Sequence, residues 1–125
     1  MEPTVPKKPR MCFDSAPRPV HVTFDDGKHD RRNLPWSCYD EASWSHGEID
    51  TIKVEIGDWL VVIMGNNLGP LFLAIEERTL LRIRAEPNFA RAPERACDTF
   101  ATQIQFLKPP AMPRKGQTEF DLGSR

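Results

Sequence analysis

A chain of 125 residues with 39% hydrophobic and 28% charged side chains supports one ordinary globular domain. No apolar run approaches the roughly 18 residues that cross a bilayer, and no apolar segment follows the basic residues of the amino terminus, so neither a membrane span nor a secretory signal is expected. Net charge is −1 and uneven: residues 1–19 and 108–125 each carry four basic and two acidic side chains, while the stretch between carries nine basic and fourteen acidic. An acidic centre lacks the overall basic field that displaces counterions from nucleic acid, which leaves only a local basic patch open.

Five of the twelve prolines fall at positions 3, 6, 9, 17 and 19. Proline donates no backbone hydrogen bond and keeps its predecessor out of the helical region, so residues 1–19 read as a flexible leader, touching the domain through Met11, Cys12 and Phe13. The domain is expected over residues 20–107. Val20, Val22 and Phe24 alternate with His21, Thr23 and Asp25, a strand, and Asp26-Gly27 signals a type I′ hairpin turn. A charged run, Lys28-His29-Asp30-Arg31-Arg32, leads to Leu34-Pro35-Trp36.

The centre of the fold is expected between Ile49 and Ala85, as strand, turn, strand, helix and strand. Ile52, Val54 and Ile56 alternate with Thr51, Lys53 and Glu55, and Gly57-Asp58 turns the chain into Trp59–Met64. That second strand is apolar at every position, the mark of a strand covered on both faces. Leu68, Leu71, Phe72 and Ile75 make one face of a helix over about 67–78, with Asn66 or Asn67 as cap and Pro70 in the first turn. Leu81, Ile83 and Ala85 then alternate with Arg82 and Arg84, and Phe100, Ile104 and Phe106 suggest a last strand. Lys108-Pro109-Pro110 stops it, and a polar tail, 108–125, follows.

The pattern predicts an α+β domain: a small mixed sheet of five to seven strands with one main helix on one face. A short helix running back along Trp59–Met64 places strand 80–85 parallel to it through a right-handed crossover. One helix covers one sheet face. The other must be covered by the amino-terminal strands or by a second copy of the chain, which raises a homodimer.

Several clusters are candidates for chemistry. Trp36, Tyr39, Asp40, Glu41 and Trp44 place two of three tryptophans and the only tyrosine beside two carboxylates; the rings serve either a core or a recognition surface. In an extended chain Trp36, Cys38, Ala42 and Trp44 share a face, and Cys38 reads as a buried, inert thiol. Cys38 with His46 and Asp40 or Asp50 has the composition of a nucleophilic triad but no local signature of one. Cys12, Cys38 and Cys97 are odd in number and widely spaced, which predicts a reducing, cytoplasmic setting, as in a bacterium, and no disulfide framework. His21, His29, His46 and these cysteines have no metal-ligand spacing, so no metal or other cofactor is expected. Gly65-Asn66-Asn67-Leu68-Gly69-Pro70 matches no phosphate loop, though a helix start offers amides to an anion. Lys28, Arg31, Arg32, Arg82 and Arg84 form a patch for phosphates or an acidic protein if they face one way.

In the tail, Gln117-Thr118-Glu119-Phe120-Asp121-Leu122 resembles the short motif by which bacterial DNA polymerases and repair proteins dock on the sliding clamp. Gln117, Phe120 and Leu122 match its anchors, and Thr118 stands where the motif prefers leucine. The resemblance implies a clamp as partner and nothing about the domain's fold. Taken together, the residues favour a non-enzymatic binding or adaptor protein, without a catalytic residue, that acts through protein contacts. The alternatives are a nucleic-acid-associated protein using the basic patch and a small enzyme or ligand binder with a pocket near Trp36–Trp44.

Overall fold

Residues 12–91 and 98–108 are described by the structure, a computed structural model. Within them the chain forms β1 (Phe13–Ser15), β2 (His21–Asp25), β3 (Arg31–Pro35), β4 (Tyr39–Ser45), β5 (Asp50–Ile56), β6 (Trp59–Asn66), α1 (Gly69–Glu76), β7 (Leu80–Arg84) and β8 (Phe100–Leu107). The α+β class is as expected, but eight strands exceed the five to seven predicted, and they form two sheets. One has the order β1-β7-β2-β3 and the other β4-β5-β6-β8. No described helix is long and apolar enough to cross a membrane.

The β5–β6 hairpin follows its sequence closely. Ile52, Val54 and Ile56 are buried while Lys53 and Glu55 are exposed. Ile56 pairs with Trp59, so the turn is Gly57-Asp58. Gly57 has φ +63° and Asp58 is not left-handed, the pattern of a type II′ turn with glycine at its first central position. The earlier hairpin departs from expectation. Asp25 pairs with Arg31, so five residues, not two, join β2 to β3. The Asp26 side chain accepts backbone N–H groups of Lys28, His29 and Asp30 at 2.7, 2.9 and 3.1 Å and organises this longer loop. Val20 lies before β2 and is 72% exposed, so it does not share the buried face of Val22 and Phe24.

The expected crossover does not form. β6 already pairs with β5 on one side and β8 on the other. β8 reaches it because Gly65 carries no side chain: a Cβ there would stand 2.7 Å from Ala101 Cα. The helix therefore runs beside β4, with Phe72 against Trp44 at one end and Arg78 over Tyr39 at the other. It delivers β7 to the opposite sheet, parallel to β2.

α1 is shorter than the expected 67–78. Neither asparagine caps it: Asn67 is left-handed, φ +52°, and donates to the Asp98 carbonyl. The carboxylate of Asp50 on β5 accepts the Leu68 N–H at 2.9 Å instead. At the other end Arg78, φ +56°, donates its N–H to the Ile75 carbonyl, and Thr79 donates to Ala74. This is a Schellman closure with arginine at the position that favours glycine.

One hydrophobic cluster joins both sheets and the helix, with Phe24, Leu80 and Ile83 facing Ile52, Ile56, Val61 and Ile63 beside Leu71 and Ile75. The inner face of β6 is thus covered by β2 and β7, of which only β2 belongs to the amino-terminal strands expected there. Main-chain bonds from Cys12 to Thr99 and from Glu86 to Ala101 tie the sheets along one side. β1 lies inside the stretch read as a leader, and its Phe13 packs on the core.

Candidate functional site

The outer face of the first sheet gathers three arginines, Arg31, Arg82 and Arg84. Pairing sets Arg31, Asp25 and Arg84 in one row across β3, β2 and β7. A second row runs Asn33, Thr23, Arg82 and Asp14 and reaches β1. Inner neighbours Val22, Phe24 and Ile83 are fully buried, which fixes these polar residues on the outside. An irregularity sharpens the arrangement. Ser15 pairs with Leu80 and Asp14 with Arg82, so Leu81 is an extra residue on β7. Such a bulge re-aims a side chain, and Leu81, 36% exposed, joins Arg82 on the outer face. Thr23, Asp25, Arg31, Leu81, Arg82 and Arg84 line an open hollow of about 300 Å³.

Each arginine has a carboxylate at its margin: Arg31 Nε lies 3.3 Å from Asp25, Arg82 Nε 3.8 Å from Asp14, and Arg84 Nε 3.8 Å from Glu86. The guanidinium side chains are 60–73% exposed, and exposed pairs of this kind contribute about 0–1 kcal/mol each. They orient the arginines without locking them. The terminal nitrogens of each guanidinium hold four further N–H donors for planar, bidentate acceptors. Asn33 donates to Thr23 Oγ1 at 2.9 Å and steadies the neighbouring row.

Of the five basic residues expected to share a patch, Arg31, Arg82 and Arg84 do. Arg32 does not. It points inward beside Phe24, with its guanidinium 4.0 Å from the Trp59 ring centre and 5.3 Å from that of Phe106. There it closes the end of the core between the sheets. Lys28 sits on the loop organised by Asp26, outside the hollow. Partial desolvation opposes ionisation of Asp26. The backbone donors Lys28, Asp30 and His29, with the nearby His29 charge, outweigh it and hold the carboxyl below its ordinary range.

The aromatic segment divides. Trp36 is core: it is 5% exposed, its indole N–H donates to the Leu80 carbonyl at 3.0 Å, and it offers no surface to a partner. A 3-10 turn at Trp36–Cys38 breaks the expected alternation, so Cys38 is exposed instead of buried. Tyr39 packs edge-on to Trp36 and is half-buried, and burial raises its phenol while Arg78 opposes the rise. Asp40 and Glu41 are exposed on the edge strand β4. Asp40 lines a second, shallow hollow with Ser37, Cys38, Tyr39, Gly57 and Asp58. Trp44 is half-buried between Phe72 and His46, ring centres 5.7 and 3.9 Å away.

His46 Nδ1 does approach Asp50, at 3.4 Å. Cys38 is not with them. It precedes Tyr39, which pairs at the Ile56 end of β5, whereas His46 follows Ser45 at the Thr51 end. Seven strand residues separate the two, roughly 23 Å. Asp50 takes the Leu68 N–H at the helix start that offered amides to an anion. No group of three metal-ligating side chains occurs among the described residues. Gln117, Phe120 and Leu122 lie outside the described residues.

Sequence reasoning names Asp25 as an acidic neighbour of the patch, with Asp26 and Asp30, but missed Thr23, Asn33 and Leu81 and the carboxylates Asp14 and Glu86, which with Asp25 set the hollow's balance. No local signal marks them, because parallel pairing of β2 with β7 brings distant stretches together. Comparison with protein-family models, curated proteins and solved structures returns no match.

Proposed function

We propose that this chain is a binding module, acting without chemistry of its own, that takes a carboxylate-bearing segment of another protein in the arginine-lined hollow. The observation that carries the reading is the convergence of Arg31, Arg82 and Arg84 around Leu81 on one open sheet face. Arginine beside an apolar contact is the composition of an interface hot spot. Weak, exposed internal ion pairs exchange readily for a partner's carboxylates. Arg82 and Arg84 stand two residues apart on one strand, about 6.6 Å, which matches alternate side chains of an extended peptide.

The charge pattern favours protein over nucleic acid. Three arginines are interleaved with three carboxylates, Asp14, Asp25 and Glu86, so the face has no net charge to attract a polyphosphate. Single carboxylates spaced two residues apart along a peptide can meet Arg82 and Arg84 one at a time without bringing dense negative charge beside Asp14, Asp25 and Glu86.

Fluorescence anisotropy tests the reading with two probes, a labelled extended peptide alternating glutamate with leucine and a labelled single-stranded DNA. The peptide is expected to bind, and replacing Arg31, Arg82 and Arg84 together by serine is expected to abolish its binding. Salt-sensitive DNA binding lost in the same variant, with no peptide binding, would establish the nucleic-acid reading in its place.

A further inference from the structure

β6 explains its own lack of alternation only in part. Val61 and Ile63 enter the core cluster, but Leu60, Val62 and Met64 lie on the opposite, outer face of the second sheet, where Leu60 and Met64 are half-buried and Val62 is 8% exposed among its sheet neighbours. An antiparallel sheet with one face on its core ordinarily carries polar residues on the other. Here register sets Lys53 and Gln105 beside Val62, and Glu55 and Leu107 beside Leu60. Leu107 is 45% exposed. On β4, Ser43 lies beside Lys53 and Glu41 beside Glu55. Two glutamates directly opposite on one face repel each other.

We propose that this face is the interface between two copies of the chain, stacked sheet on sheet about a twofold axis. The axis runs along the hydrogen-bonding direction at the level of Val54 and Val61, which pair with each other. The surface is complementary to itself about that line. Lys53 and Glu55 flank Val54 by one residue each, so the rotation sets Lys53 over the partner's Glu55 and Glu55 over the partner's Lys53. Leu60 meets the partner's Val62. Leu107 meets the partner's Gln105, and Ser43 the partner's Glu41. An isologous contact needs this reciprocity. It also brings a cation to the Glu41–Glu55 pair, which lacks one opposite it within the sheet.

Area sets the strength. Four strands about 4.8 Å apart and some 20 Å long present about 400 Å² per copy. Stable interfaces bury about 800 Å² per partner, so this dimer forms and dissociates with concentration. It uses the sheet opposite the arginine hollow and is independent of the function proposed for that hollow.

Sedimentation equilibrium of the full chain from about 1 μM to about 1 mM tests it. Reversible dimerisation is expected. Lys53→Glu and Glu55→Lys should each weaken it by about tenfold or more, since like charges then face each other. The double exchange K53E/E55K should restore it, and an equimolar mixture of the two single variants should associate more tightly than either alone. Both positions are exposed, and circular dichroism verifies that each variant folds. A chain monomeric throughout the range overturns the proposal. So does a dimer indifferent to the single reversals, or a mixture no tighter than its components.

Discussion

Replacing Asp50 by alanine removes the carboxylate that joins β5 to the start of α1. Asp50 is 8% exposed and Leu68 fully buried, and the Leu68 N–H has the Asp50 Oδ2 as its acceptor at 2.9 Å. A hydrogen bond to a charged group contributes about 1.5–3 kcal/mol, and an amide left buried without an acceptor costs about 1–3 kcal/mol. These figures overlap, because both describe the same lost contact. The His46 contact adds less than about 1 kcal/mol, since that ring is largely exposed. Asp50→Ala is therefore expected to cost about 2–4 kcal/mol. Asp50→Asn keeps an acceptor of similar shape and should cost about 1 kcal/mol. Urea unfolding followed by circular dichroism reads this directly. With a urea dependence of about 1–2 kcal/mol per molar, the alanine midpoint falls by about 1–4 M. An Asp50→Ala midpoint within about 0.3 M of the parent would refute the argument. His46→Ala costing as much as Asp50→Ala would also refute it, by moving the energy from the helix cap to the His46 contact.

Other consequences are as direct. Gly65→Ala places a methyl group against Phe100 and Ala101, so β8 must separate from β6; thermal unfolding should show a loss of about 3 kcal/mol or more, and an unchanged Tm would contradict the close approach. Arg78→Gly relieves a left-handed arginine at a cost of about 1–2 kcal/mol, against an exposed Tyr39 contact of about 0.5–1 kcal/mol. A small net stabilisation in urea is the expected outcome, and a clear loss would show that the ring contact dominates. Asp26 has its folded pKa lowered, so its contribution is present above the unfolded carboxylate range and is lost as pH falls through the folded value. Asp26→Asn should therefore destabilise at neutral pH and lose that effect in acid; a deficit independent of pH would remove the charge from the explanation. Cys38 should react with a thiol reagent in the native state faster than half-buried Cys12, as single-cysteine variants would show.

Local features of the fold were legible. The β5–β6 hairpin declares itself through Ile52, Val54 and Ile56 and its Gly57-Asp58 turn, because alternation and turn chemistry act within a few residues. Leu68, Leu71, Phe72 and Ile75 marked α1 for the same reason. What depends on distant partners was not legible. Trp59–Met64 signalled a strand with two apolar faces but not what meets each one. The neighbour expected for it was strand 80–85, and it is β8, admitted by the missing side chain at Gly65. The cap of α1 comes from Asp50, 18 residues earlier, and displaced the nearer asparagines. Arg31, Arg82 and Arg84 were recognised as basic surface, but their shared face depends on β2–β7 pairing and on a bulge at Leu81. Arg32, next in the chain to Arg31, turned inward because successive strand residues face opposite ways. Trp36 went to the core because its indole N–H finds the Leu80 carbonyl there.

The arginine hollow is the centre of the functional account, and residue-resolved mapping tests it most directly. Backbone amide NMR of the full chain, titrated with the alternating glutamate–leucine peptide, reports where the peptide lies as well as whether it binds. Placement of the peptide in the hollow predicts shifts concentrated on β2, β3 and β7 around Thr23, Arg31, Leu81 and Arg84, absent in the Arg82→Ser, Arg84→Ser variant. Shifts centred on β4 around Tyr39 and Asp40, or undiminished without those arginines, would contradict it.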